Sequence, residues 1–144
     1  MCRLLADTFP KDKEGQALLL KVRRAMERLT RSKGVKDNFV KAPRRLNADE
    51  HNLKDEFANI WARCTLEYDP ENPGASVRKG KIKIGPFFLE KRFKVMDLEK
   101  VILHEFLHEA LAISWKEAHH GLIDQIIQYD LKYPGPPNVA EGKM

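Results

Sequence analysis

The sequence predicts a small α+β domain, and three observations carry that prediction. Residues 14–31 repeat apolar side chains at spacings of three and four, residues 60–67 alternate with a period of two, and residues 97–113 are apolar on nearly every side. With 144 residues, of which 42% are hydrophobic and 33% charged, the chain has room for one core and little else. The expected architecture is an N-terminal helix, a short antiparallel sheet, a buried helix and a second, C-terminal helix. A single domain should cover residues 1–133, with its most recognisable core at 59–130. Residues 134–144, which carry Pro134, Pro136 and Pro137, are expected to form a flexible tail.

Taken in order, EGQALLLKVRRAMERLTR places Ala17, Leu18, Leu20, Val22, Ala25, Met26 and Leu29 on one stripe. Lys21, Arg24 and Arg28 then face outward, and Gly34 is the expected stop. Residues 35–48 are polar, carry Pro43 beside Arg44 and Arg45, and read as a loop; the acidic stretch 49–56 reads as a short helix. From Ile60 the period becomes two, with Ile60, Ala62, Cys64 and Leu66 inward and Trp61, Arg63, Thr65 and Glu67 outward, as in a strand. Asp69 to Gly74 supplies turn chemistry. Ser76–Ile84 reads as the partner strand, with Ile82 and Ile84 inward, Lys79, Lys81 and Lys83 outward, and Gly80 at a bulge. Gly85-Pro86 ends that strand and Phe87-Phe88-Leu89 adds an apolar anchor. Asp97 is a good N-cap for a buried helix running to Ile113. Ser114 with Glu117 three residues on forms a capping box, so a further helix should start there at a new angle and run to about Asp130.

The composition limits the classes of function. No apolar run approaches the roughly 20 residues of a membrane span, and MCRLLADTFP lacks the pattern of a signal peptide. Two cysteines, Cys2 and Cys64, do not make a disulfide framework. These features point to a soluble, cytoplasmic protein with no membrane partner. The net charge of +5 is uneven: 13 basic against 7 acidic residues in 1–50, 10 against 8 in 51–100, and 3 against 6 in 101–144. A basic front fits a solvated helix face, or an acidic or nucleic-acid partner reached through residues 21–45.

Four of the five histidines lie between positions 104 and 120. His104-Glu105-Phe106-Leu107-His108 is H-E-x-x-H inside the predicted buried helix, a pattern that composition alone would produce in roughly 1–2% of such chains. Residues four apart share a helix face, so both imidazoles can reach one Zn²⁺ ion, and Glu105 stands beside them as general base. A catalytic zinc needs a third protein ligand. On a straight helix His119 and His120 would lie about 16–18 Å beyond His108. The break expected at Ser114 lets the next helix fold back. His120, followed by Gly121, is the first candidate, with His119, Glu117 and Asp124 as alternatives. Cys64 lacks the Glu-Gly-Cys-Leu-Ser context of the peptide deformylases, whose upstream cysteine binds metal, and reads as a buried strand cysteine.

Residues 80–113, GKIKIGPFFLEKRFKVMDLEKVILHEFLHEALAI, resemble the heart of a zincin metallopeptidase. They are most similar to the SprT-like group and to small phage-type and archaeal minimal zincins. The resemblance implies a zincin-like fold and assigns the third zinc ligand to the histidine of a downstream His-Gly, here His120-Gly121. It also makes Lys81–Ile84 the edge strand above the cleft, along which an extended peptide could pair. The expected activity is peptide-bond hydrolysis of a peptide or protein substrate by a zinc-activated water, with Glu105 as general base. Two other readings remain open. One is a zinc-stabilised binding module with little or no catalysis, associated with nucleic acid through the basic front half. The other is a zinc hydrolase acting on a non-peptide amide.

Overall fold

The computed structural model describes residues 1–39, 57–110 and 120–133. The first strand, β1 (Arg3–Leu4), leads into a short 3₁₀ turn and then α1 (Lys13–Arg31). Asp12 caps α1 by accepting from the Gly15 N–H at 2.8 Å. The stripe read from the sequence faces the core through Leu18, Val22, Ala25, Met26 and Leu29, joined by Leu19, while Leu20 is exposed. Gly34 does not end this helix. Ser32 does, because its Oγ accepts from the Val35 N–H at 3.2 Å and starts α2 (Lys33–Phe39). Val35 and Phe39, one turn apart, are both buried, so residues 35–39 of the expected loop are helical instead. The remainder of that loop and the expected acidic helix at 49–56 lie outside the described residues.

The expected strand from Ile60 also needs correcting. Residues Phe57–Arg63 form a helix, α3, and only Thr65–Tyr68 (β2) is extended. Burial decides between the two periods. Phe57, Ile60, Trp61 and Cys64 follow helical spacing and are all buried, whereas Ala62, inward in the strand reading, is exposed. The Trp61 Nε1–H donates to Thr30 Oγ1 at 2.9 Å, tying α3 to the end of α1.

Ser76–Ile84 is a hairpin rather than one strand. β3 (Ala75–Arg78) and β4 (Lys81–Ile84) pair antiparallel around Lys79 and Gly80, whose φ angles of 50° and 78° lie in the left-handed region. Two such residues in a row make the tight turn whose twist suits a two-residue hairpin. The sheet order is β1-β2-β4-β3, with β1, β2 and β4 parallel. The sheet is therefore mixed, and not the antiparallel one expected. The turn after Tyr68 carries the chain past the place next to β2, which β4, bearing the fully buried Ile82 and Ile84, then fills. It follows that Lys81–Ile84 is internal and the outer edge belongs to β3. Gly85 closes this corner against Asn72, whose backbone leaves no room for a Cβ.

The histidine-bearing helix, α4, begins at Val95, two residues before the expected cap. Asp97 lies in its first turn and its Oδ2 accepts from the Lys94 N–H at 2.8 Å, the reach-back half of a capping box. α4 lies against α1 on one side and the β3–β4 hairpin on another. Phe106 anchors it within an aromatic cluster formed by Phe57, Trp61 and Phe39, at ring distances of 4.9, 5.5 and 5.7 Å. The last expected turn to Ile113 and the Ser114 capping box lie outside the described residues. α5 (His120–Gln125) follows and continues as a π-helical turn, Ile126–Asp130, ending where the sequence places it. The expected tail, 134–144, lies outside the described residues. No described helix is long and apolar enough to cross a membrane.

Candidate metal centre

Helix α4 buries five polar or charged side chains among its apolar ones: Glu99, Lys100, His104, Glu105 and His108. Ionisable groups inside a helix seldom stay buried without partners or a cation. Two opposite faces of α4 hold the explanation. Phe106 is about 200° round from His104 and locks one face into the aromatic cluster, which turns the histidines toward the other.

On that second face the two ring nitrogens Nε2 of His104 and His108 lie 3.2 Å apart, with ring centroids 4.9 Å apart. Two imidazoles bound at about 2.0–2.1 Å to one tetrahedral zinc would hold their nitrogens roughly 3.3–3.4 Å apart. The described pair, at 3.2 Å, stands slightly inside that separation. With one ring protonated at Nε2, the same contact is a hydrogen bond.

Asp124 of α5 approaches from behind. Its Oδ1 lies 3.4 Å from His104 Nδ1, the ring nitrogen not turned toward His108. Its side chain is 13% exposed, and among the described residues this oxygen accepts no hydrogen bond of good geometry. Twenty residues of unbroken helix would separate Asp124 from His104 by about 30 Å, so α5 does return alongside α4. Asp124, one of the candidate third ligands, approaches His104 at Nδ1 rather than at the nitrogen facing His108.

Of the other candidates, His120 is the first residue of α5, but its side chain lies outside the described part, as do His119 and Glu117 altogether. Among the described residues no three His, Cys, Asp or Glu side chains form a metal-holding group. Glu105 is about 100° round the helix from His104 and 60° from His108, on the flank of the pair. One turn on, half-exposed Glu109 lines a pocket of about 330 Å³ together with Arg63, Cys64, Lys79 and Gly80.

Behind the site, Glu99 is held by Arg28, which the sequence reads simply as facing outward. The Arg28 guanidinium of α1 pairs with its carboxylate, and Tyr133 stands close enough for the Glu99 charge to act on its phenol. Burial, reinforced by the Glu99 charge, pushes the Tyr133 phenol well above its usual range. This knot joins α1, α4 and the chain after α5. Of the basic stretch at 21–45, Arg24, Arg28 and Arg31 border an open groove of about 600 Å³ with Lys94, while Arg44 and Arg45 lie outside the described residues.

No protein-family model matches the chain, and no curated protein and no solved structure matches it.

Proposed function

We propose that the chain is a zinc-dependent metallopeptidase of the zincin type. The reading rests chiefly on one observation: two buried histidines one helical turn apart turn their Nε2 atoms to 3.2 Å from each other beside a buried glutamate. His104 and His108 are two of the zinc ligands. His120 is the third, with His119, Glu117 and Asp124 as its alternatives. The Asp124 carboxylate, 3.4 Å from His104 Nδ1, favours the tautomer protonated there, which leaves the Nε2 lone pair free for a cation.

Zn²⁺, when bound, acts as a Lewis acid that makes a water more acidic and polarises a substrate carbonyl. Glu105 takes the proton of the attacking water and passes it to the leaving amine. Its burial, and the restricted motion of α4 between α1 and the hairpin, keep that carboxylate in place through both transfers. An extended peptide substrate can pair with the outer edge of β3, whose strand lies against α4.

The test is Glu105→Gln. The variant should bind zinc as wild type does and cleave a peptide library at least about a hundredfold more slowly. Cleavage at the wild-type rate by zinc-loaded Glu105→Gln would refute the assignment.

A further inference from the structure

We propose that Cys2 and Cys64 are a thiol-oxidation site, which a hydroperoxide converts to an intramolecular disulfide fastening β1 to the sheet. The proposal stands whether or not the chain is a peptidase. These are the only cysteines in the sequence, 62 positions apart, and the sheet brings them side by side. β1 and β2 run parallel with Arg3 opposite Thr65 and Leu4 opposite Leu66, so the same register puts Cys2 opposite Cys64. The Arg3 N–H donates to the Cys64 carbonyl at 3.0 Å, holding that register at the cysteines themselves. Neighbouring strands lie about 4.7–4.9 Å apart, inside the 4.4–6.8 Å range of Cα separations that a disulfide spans. In-register parallel neighbours point the same way, and here both point inward, 1% and 3% exposed.

Cys2 stands close enough to Cys64 for the two thiols to act on each other, and Cys64 donates its S–H to the Trp61 carbonyl at 3.4 Å. That neighbour, with burial, pushes the Cys2 thiol up. Cys64 is the sulfur that reacts first, because it lines the 330 Å³ pocket with Lys79 and Glu109 and a small oxidant can reach it there. That volume admits a molecule as small as hydrogen peroxide.

The chemistry balances. The Cys64 thiolate attacks one peroxide oxygen, the O–O bond breaks, and the departing hydroxide takes the thiol proton to leave as water. Cys64 is then a sulfenic acid. The Cys2 sulfur attacks the Cys64 sulfur, the S–O bond breaks, and hydroxide leaves with the Cys2 proton as a second water. Two thiols lose two electrons and one peroxide becomes two waters. A dithiol reductant reverses the bond.

The consequence falls on a weak place. β1 is only two residues long. A bond from Cys2 to Cys64 closes a loop of about sixty residues, and the lost freedom of the unfolded chain should raise the melting temperature by on the order of 10 °C.

The full chain, treated with hydrogen peroxide at about pH 8 and digested with trypsin without reductant, should yield peptide 1–3 joined to peptide 64–78, two hydrogens lighter than the separate pair. The same sample should melt higher by the stated shift, and dithiothreitol should reverse both changes. Cys2→Ala should show no shift after the same treatment. Three results would overturn the proposal: thiols that stay reduced while the guanidinium-unfolded chain oxidises, oxidation of Cys64 that stops at the sulfinic acid, or a disulfide between two chains. The peptide map reads wild type alone, so it decides the matter even if Cys2→Ala folds poorly.

Discussion

Replacing Asp124 by Ala separates a residue that positions a ligand from one that is a ligand. Its Oδ1 is 3.4 Å from His104 Nδ1 and its side chain is 13% exposed. Outer-shell carboxylates of this kind change metal affinity tenfold to a hundredfold, or roughly 1.4–2.7 kcal/mol. Asp124→Ala should therefore weaken zinc binding by about ten- to a hundredfold, measured by competition with a chromophoric chelator. Asp124→Asn keeps an oxygen acceptor and should lose less. His104→Ala, which removes a direct donor, should lose more than either. Melting curves of the zinc-free proteins separate misfolding from weak binding. Two results would refute the geometry: zinc affinity of Asp124→Ala within twofold of wild type, or a loss as large as that of His104→Ala. The second would make Asp124 a zinc ligand.

Other consequences follow from burial. The Arg28 side chain is 59% exposed and that of Glu99 only 2%, so the two halves of their pair are unequal. Arg28→Ala removes the charged partner of a buried carboxylate and should cost more than Glu99→Gln, which leaves Arg28 free to hydrate; denaturant melts of both rank them. Equal losses would mean that the exposed guanidinium does not compensate Glu99. Phe106→Ala empties the centre of the aromatic cluster and should cost about 3–5 kcal/mol, a drop of roughly 10–20 °C in melting temperature. A drop below a few degrees would show that the cluster does not hold α4.

What was legible in the sequence was local. The capped, amphipathic α1 and the burial of α4 follow from periods that no distant contact overrides. So does the pairing of His104 with His108, because four residues of helix fix their relation wherever the helix goes. The misreadings share one cause. Ile60 to Leu66 satisfies a period of two and Phe57 to Cys64 a helical one, and distant partners, Phe106 and Thr30 among them, select the helix. Gly34 looks like a stop until Ser32 supplies a cap and Val35 and Phe39 find the core. Gly80 reads as a bulge when Lys79 is assumed to be in extended conformation, and as half of a turn once both residues take positive φ.

The sequence by itself determined the candidate chemistry: an imidazole pair with a carboxylate beside it, on an apolar helix that had to be buried. Tertiary structure decided what stands beside it. Only the return of α5 brings Asp124 to His104 Nδ1, and only strand order moves the free edge from Lys81–Ile84 to Ala75–Arg78. Cys2 carries no local signal at all. Its neighbour is set by a parallel register across 62 residues, and parallel pairing depends on where the intervening chain returns, which no short-range period encodes.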